Sequence, residues 1–163
     1  MSQSELLILV TSKLTELSIP YMLTGSIVSS IQGEPRSTHD IDILLTIQPS
    51  NAEKLIAAFA PPRFYLDPDC INEAIKFQGM FNLLDTEEGD KVDFWILTNE
   101  PFDQARFSRR ITTHFCGAQL VISQPEDTII AKLIWAKKSG GSEKQFNDAL
   151  RIFEVQYLKL DIT

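Results

Sequence analysis

Residues 40–47 have the sequence DIDILLTI, and this stretch decides both the fold and the chemistry expected of the chain. Its isoleucines and leucines predict a β-strand, in which successive side chains point to opposite faces. Asp40 and Asp42 then share one face, and Ile41 and Ile43 share the other. Two carboxylates on one face repel each other unless a cation lies between them, and Mg²⁺ prefers oxygen ligands. The stretch therefore predicts a strand that carries a metal-binding pair.

A third carboxylate, Asp93, lies in a second predicted strand that runs from Lys91 to Leu97. Its neighbours Val92 and Phe94 are apolar, so their faces are expected to be buried. If the two strands are adjacent, Asp93 joins Asp40 and Asp42. Three carboxylates in that arrangement can bind two metal ions, one activating an attacking hydroxyl and the other clamping a triphosphate.

A phosphate-binding turn is predicted upstream of the aspartates. A short strand is expected over 21–24 and a short helix over 27–32, with Gly25 and Ser26 between them. Gly25 would let the backbone approach phosphates closely, and the helix N-terminus with the Ser26 hydroxyl would bind them.

Length and composition limit the remaining classes of function. The chain has 163 residues, 44% of them hydrophobic, which predicts one domain over 1–163 with its own core. A net charge of −7 argues against a general nucleic-acid surface, although it leaves room for a local basic pocket. Cys70 and Cys116 match no zinc or redox spacing and are predicted to be buried free thiols. The absence of a basic leader or a long apolar run predicts a cytoplasmic protein without membrane spans.

The other segments predict an α+β fold, with a mixed sheet flanked by helices and a helical C-terminal part. We place the core at about 5–122 and the helical part at about 123–158. Capping-box spacings at Ser2, Ser50 and Ser123, each followed by glutamate three residues later, predict three helix starts. Further predicted elements are a helix over 67–77, strands over 80–84 and 91–97, a hairpin over 111–122, and helices on either side of Gly140-Gly141.

Apolar stripes are expected to seat the two C-terminal helices on the core. The first stripe consists of Ile129, Ile130, Leu133 and Ile134. The second consists of Phe146, Ala149, Leu150 and Phe153.

The order of these motifs resembles the nucleotidyltransferase superfamily, whose signature is a Gly-Ser turn, a strand with Asp-x-Asp, and a later strand with a third carboxylate. The run from Arg36 to Asp42, RSTHDID, is most similar to the Arg-x-Thr-x-Asp-Ile-Asp run of abortive-infection (AbiEii-type) and related toxin-like members. Glu126-Asp127, Lys132, and Lys144 with Asp148 resemble their C-terminal motifs. His39 departs from the antibiotic-adenylating members, which have serine before the first aspartate.

The resemblance implies a metal-dependent nucleotidyltransferase fold that moves a nucleoside monophosphate from a triphosphate such as ATP to an acceptor hydroxyl. Asp40 and Asp42 would hold Mg²⁺ or Mn²⁺, and Asp93 would complete the site as the general base. The acceptor, whether tRNA, protein or small molecule, stays open, as does an antitoxin partner. Two alternatives also stay open, a non-catalytic binding module and a metal-dependent phosphohydrolase or nuclease.

Several residues have two interpretations at this point. Arg36 is either a structural partner of Asp40 or Asp42 or a phosphate ligand, and Lys132 is either a triphosphate ligand or a solvated lysine. Lys144 and Asp148 stand four residues apart and are predicted to form a surface pair. The two histidines, His39 and His114, are predicted to take no part in the site.

Overall fold

A seven-stranded mixed sheet with the order β3-β4-β5-β2-β1-β7-β6 forms the centre of the computed structural model, which describes all 163 residues. The α+β prediction is confirmed. The elements are α1 (Gln3–Glu16), β1 (Tyr21–Thr24), α2 (Gly25–Gln32), β2 (Asp40–Leu45), α3 (Pro49–Ala58), β3 (Phe64–Leu66), α4 (Pro68–Phe77), β4 (Met80–Asp85), β5 (Lys91–Ile96), α5 (Pro101–Ser108), β6 (Ile111–Phe115), β7 (Ala118–Ile122), α6 (Pro125–Lys138), α7 (Glu143–Gln156) and a short 3-10 helix (Tyr157–Lys159).

The two aspartate-bearing strands are direct neighbours in this sheet. β2 and β5 run parallel, whereas β1 pairs antiparallel with β2 and β4 pairs antiparallel with β5. Side chains that are directly opposite each other in a ladder point to the same face. The register therefore gives the carboxylates of β2 and β5 a common face.

The other face of the sheet carries the core. A cluster of 26 buried residues joins Ile41, Ile43 and Phe94 to the apolar sides of α1, α3 and α4. Because the strands alternate, burying these residues turns Asp42 and Asp93 away from the helices. The alternation of side chains that buries the apolar residues in the core thus also places the two aspartates on the opposite face of the sheet.

Two of the three predicted capping boxes, at Ser50 and Ser123, do not form, although the predicted start of α6 at Pro125 is confirmed. Ser2 does cap α1, and Glu5 completes the capping box. However, α3 begins at Pro49 and α6 begins at Pro125, so Gln48 and Gln124 are the N-cap residues and neither caps through its side chain. Proline at the first helical position has a φ angle suited to a helix and needs no donor there, so it determines both starts.

Other boundaries and exposures also differ from the prediction. β2 ends at Leu45 rather than near residue 47, α2 begins at Gly25, and two elements, β3 and α5, have no counterpart in the prediction. Cys70 and Cys116 are exposed free thiols, so the prediction that they are buried is wrong. Cys116 lies in the turn of the β6–β7 hairpin, where no core is available to cover it. No helix is both long enough and apolar enough to cross a membrane.

The C-terminal hairpin, formed by α6 and α7, turns most of its predicted apolar stripes outward, and only the stripe member Ala149 is buried. Its inner face buries Asp127, Lys132 and Asp148, together with small or aliphatic residues such as Ala149. The predicted stripe residues lie largely outside, with Leu133 41% and Phe146 53% exposed. The inner face must supply partners to charged groups near the sheet, so the large apolar side chains are turned outward.

Candidate active site

Four polar side chains form one row across the sheet. Thr24 pairs with Asp42, Asp42 pairs with Asp93, and Asp93 pairs with Asn82, on β1, β2, β5 and β4 respectively. The two carboxylates in this row are therefore direct lateral neighbours. Two residues back along the β2–β5 ladder, on the same face, Asp40 pairs with Lys91.

Asp42 is the carboxylate in this row with the fewest partners. Its Oδ1 accepts a hydrogen bond of 3.2 Å from the indole N–H of Trp95. Burial raises the pKa of Asp42, the bond from Trp95 opposes that rise, and the nearby charges of Asp93 and Asp40 add to it. The Asp42 carboxylate thus gains from any cation that enters the cleft.

Asp93 is buried and has a partner at each oxygen. The Asn82 side-chain amide donates to Oδ1 in a short hydrogen bond, and the Lys91 ammonium lies 3.1 Å from Oδ2. The same ammonium is 4.0 Å from Asp40, whose side chain is mostly exposed. Lys91 therefore sits as a cation between the first and third aspartates.

Gly25 makes room for the Asp42 carboxylate. A Cβ atom at Gly25 would overlap Oδ2 of Asp42 and would lie 2.9 Å from its Cβ and Cγ. Gly25 also has a φ angle of +73°, which L side chains rarely adopt. The glycine that begins α2 is therefore required by its neighbour on β2 as well as by its backbone.

A buried network of charges surrounds the N-terminus of α2. The Arg36 guanidinium forms two hydrogen bonds to Asp148, at 2.8 and 2.7 Å, and donates a third, at 2.8 Å, to the hydroxyl of Ser26. The Lys132 ammonium donates to Asp148 at 2.9 Å and lies 3.5 Å from Ser26 Oγ. Two cations thus share one carboxylate beside a helix N-terminus, which favours an anion.

The pKa shifts agree with an excess of positive charge in this network. Burial would raise the pKa of Asp148, but the bonds from Arg36 and Lys132 outweigh burial and lower it. Burial lowers the pKa of Lys132, and its bond to Asp148 opposes that shift. Since Asp148 is 8% and Lys132 5% exposed, a phosphate there would be held in a setting of low dielectric.

The prediction that Lys144 and Asp148 form a surface pair is wrong. Asp148 is the buried centre of the network, and its partners are Arg36 and Lys132, whereas Lys144 is exposed. Arg36 was predicted to be either a structural partner of Asp40 or Asp42 or a phosphate ligand. Its side chain contacts neither of these aspartates, so the first interpretation is wrong. Arg36 instead links α2 to α7 through Ser26 and Asp148.

A cleft of about 790 Å³ opens onto Asp42 and the first turn of α2. It is lined by Gly25, Ser26, Asp42 and Lys132, and also by two aromatic side chains, Trp95 and Trp135. The two indole rings meet edge to face with their centroids 6.1 Å apart. The cleft thus combines a carboxylate, a phosphate-type pocket and an aromatic wall.

Asp42 and Asp93 fit a divalent metal ion, whereas the full trio does not converge. No three acidic, histidine or cysteine side chains lie close enough together to hold a metal ion among themselves. The pair on β2 and β5 offers oxygen ligands, and Asp42 Oδ2 faces the space kept open by Gly25. Mg²⁺ usually takes one or two carboxylates and completes its shell with waters and phosphate oxygens. A site of three aspartates and two metals stays a prediction.

Sequence reasoning missed four residues in and around the cleft. Trp95 and Trp135 line it, and Asn82 and Lys91 contact Asp93 beside it. Lys91 and Trp95 stand two positions on either side of Asp93, so strand alternation alone places them on its face. Asn82 requires the β4–β5 register, and Asp148 lies 112 residues from Arg36, so neither position could be inferred from local spacing.

The fold of the whole chain is similar to that of several solved structures. No family model matches the sequence, and no curated protein matches it. Among solved structures, the lincosamide antibiotic adenylyltransferase LnuA, bound to lincomycin, has a TM-score of 0.62 and 13% identity over 95% of this chain and 98% of that one. The antibiotic-resistance factor ANT(2'')-Ia has a TM-score of 0.63 and 10% identity over 94% of this chain and 85% of the other. The chain has the nucleotidyltransferase fold.

A third structure with this nucleotidyltransferase fold is an antigenic nucleotidyltransferase-like protein from Paracoccidioides brasiliensis. It has a TM-score of 0.60 and 19% identity over 97% of this chain and 78% of that one. At these identities the likeness concerns the fold. The closer resemblance to abortive-infection members stays a prediction.

Proposed function

We propose that this chain is a nucleotidyltransferase that moves a nucleoside monophosphate from a triphosphate to an acceptor hydroxyl. One observation carries the proposal. Asp42 lines the same cleft as Gly25, Ser26 and Lys132, and Asp93 is its direct neighbour in the sheet. Carboxylates that can hold a metal ion and a buried cation pocket at a helix N-terminus are what a metal-bound triphosphate needs.

The residues around the cleft have separate roles in the proposed reaction. The first turn of α2 and the Ser26 hydroxyl bind the triphosphate, and Lys132 with Arg36 offsets its charge. The acceptor oxygen attacks the α-phosphorus, the bond from that phosphorus to the bridging oxygen breaks, and pyrophosphate leaves. Mg²⁺ or Mn²⁺ on Asp42 and Asp93 supplies charge stabilisation when bound.

Asp93 is the proposed acceptor of the hydroxyl proton, at Oδ2. In the structure Oδ2 is in contact with the Lys91 ammonium, and Oδ1 is bonded to Asn82. For Asp93 to take the proton, Lys91 must move away from Oδ2. The side chain of Lys91 is long and 40% exposed, so this movement breaks only one partly solvated ion pair.

The cleft favours a small acceptor over RNA. Trp95 and Trp135 form an aromatic wall with their rings edge to face, and the chain carries a net charge of −7. RNA binding relies on clustered basic charge, which this composition opposes. Two of the similar structures are named for antibiotics, which are small molecules, so the acceptor proposed here is of that size class.

The resemblance to toxin-like members adds a biological setting to the proposal. Nucleotidyl transfer by a toxin of a toxin–antitoxin pair, in the cytoplasm, is the form that the Arg36–Asp42 run supports. In that form an antitoxin protein is the partner, and the modified acceptor is a component of the same cell.

Labelled nucleotides test the activity directly. The protein is incubated with labelled ATP, CTP, GTP or UTP, with Mg²⁺ or Mn²⁺, and with either a small-molecule or an RNA fraction of a cell extract. Pyrophosphate release together with label on an acceptor supports transfer. Free monophosphate supports a phosphohydrolase instead. If neither product forms, the result supports the non-catalytic binding module.

Variants decide whether the aspartates do the work. Asp42→Ala and Asp93→Ala should each reduce the rate at least about 100-fold, because the loss of a metal ligand is worth several kcal/mol at the transition state. Asp69→Ala is the matched control, since Asp69 is an exposed aspartate on α4. An Asp42→Ala variant that keeps a tenth of the activity contradicts the assignment.

A further inference from the structure

The outer face of the C-terminal hairpin carries an apolar surface that nothing in the chain covers. Its six members, here called the outer seam, are between 39% and 60% exposed. They are Ile130 and Leu133 on α6, Phe146, Leu150 and Phe153 on α7, and Tyr157 just beyond α7. Phe153 and Tyr157 also contact each other, with ring centroids 5.5 Å apart.

The spacing of the outer seam is that of a helix packed against another helix. From Phe146 to Tyr157 the members follow each other at intervals of four, three and four residues. This alternation is the pattern by which helices in bundles and coiled coils present side chains to a partner. On α6, Ile130 and Leu133 continue the surface across the hairpin, because α6 and α7 pack closely together.

The area of the outer seam is that of a stable interface. From the side-chain sizes and the exposures above, its members expose on the order of 600 Å² of apolar surface, at the upper end for a monomer. An interface in which about two thirds of the area is apolar would then bury about 900 Å² per partner. Standard complexes bury about 800 Å² per partner.

We propose that two copies of this chain associate through their outer seams, so that the two hairpins form a four-helix bundle. A second copy supplies an identical two-helix surface of the same length and spacing, and a two-fold contact closes without exposing a new seam. The six seam members are uncharged, and the exposed charges that flank them on α7 are of both signs, with Arg151 and Glu154 paired to each other, so the flanks are not uniformly negative although each copy has a net charge of −7.

Concentration-dependent oligomeric state tests this proposal without reference to any activity. The full chain is measured by sedimentation or by light scattering after size exclusion, from low to high micromolar concentration. Wild type is expected to be a dimer. Leu150→Glu and Phe153→Glu should raise the dimer dissociation constant at least about thirtyfold, as expected for central apolar anchors.

Controls keep the test specific to this surface. Phe77→Glu alters a phenylalanine on α4 that is 67% exposed and lies outside the seam, so it should leave the dimer intact. Leu150→Gln is a milder variant, and circular dichroism confirms that each variant is folded. A wild type that is monomeric at every concentration overturns the proposal. This holds even if the monomer binds a different protein through this surface. A dimer that is unaffected by the seam variants, or weakened equally by Phe77→Glu, overturns it as well.

Discussion

Replacing Gly25 with alanine should disable the site by moving the Asp42 side chain. The new Cβ would overlap Asp42 Oδ2, and Asp42 cannot simply rotate away because its Oδ1 accepts the bond from Trp95. The φ angle of +73° adds strain of its own for any L side chain. Gly25→Ala therefore combines a backbone cost with the loss of a hydrogen bond to a charged group.

The size of the effect follows from these terms. Left-handed backbone costs an alanine roughly 1–2 kcal/mol. Losing the hydrogen bond to Asp42 costs about 1.5–3 kcal/mol, and the lower entropy of the unfolded alanine chain offsets about 0.4–1 kcal/mol. The free energy of unfolding should fall by about 3 kcal/mol, which for a chain of this length lowers the Tm by roughly 6–12 °C.

Gly117→Ala is the matched control for backbone strain. Gly117 has a φ angle of +79°, but a Cβ there would meet nothing within 4 Å. Its substitution should cost only about 1 kcal/mol. Urea unfolding gives the two stabilities, and calorimetry measures binding of a non-hydrolysable triphosphate with Mg²⁺, which only Gly25→Ala should weaken.

A double variant isolates the contact. If the contact with Asp42 causes the extra loss, Gly25→Ala should cost no more than Gly117→Ala in an Asp42→Gly background, which also removes the Cβ of residue 42. Equal costs for Gly25→Ala and Gly117→Ala in the wild type would refute this reasoning. So would triphosphate binding by Gly25→Ala that matches the control.

Three further outcomes are expected. Asp148→Asn should lower the free energy of unfolding at neutral pH. This loss should shrink as pH falls below about 4 and vanish below the folded-state pKa of Asp148, which lies under the ordinary value. Asp42→Asn should behave oppositely in metal-free buffer, because the folded-state pKa of Asp42 is raised and wild-type stability therefore declines relative to the variant as pH rises above about 4. Urea unfolding from about pH 2 to pH 7 measures both effects. Lys91→Met should destabilise the metal-free protein and enlarge the rise in Tm produced by Mg²⁺, since no ammonium then competes beside Asp93; Lys13→Met, at an exposed α1 ion pair, should change neither quantity.

Strand alternation and apolar content made the sheet predictable from sequence. Residues 40–47 and 91–97 each carry apolar residues on one face and carboxylates on the other, so the strands and their inward faces follow from local sequence. The resemblance implied that a third carboxylate joins the pair, but the register that sets Asp42 beside Asp93 depends on how whole strands pair, and neither the resemblance nor the spacing predicted it.

The C-terminal hairpin was predicted as helical but with its faces exchanged. An apolar stripe normally marks the buried side of a helix, and here that side is taken by Lys132 and Asp148. Their burial depends on Arg36, which reaches Asp148 across 112 residues of sequence. A prediction from periodicity alone has no access to such a partner, so it assigned the core to the more apolar face.

The placement of Trp95 and Trp135 gives the molecule an optical property. These are the two tryptophans of the chain, and both line the same cleft. Light at the long-wavelength edge of the near-ultraviolet absorption therefore excites only these two indoles, both in the cleft. The Trp95 indole donates a hydrogen bond to Asp42. Emission from the unlabelled protein reports on whatever enters the cleft, and with Trp135→Phe it reports on the surroundings of Asp42 by themselves.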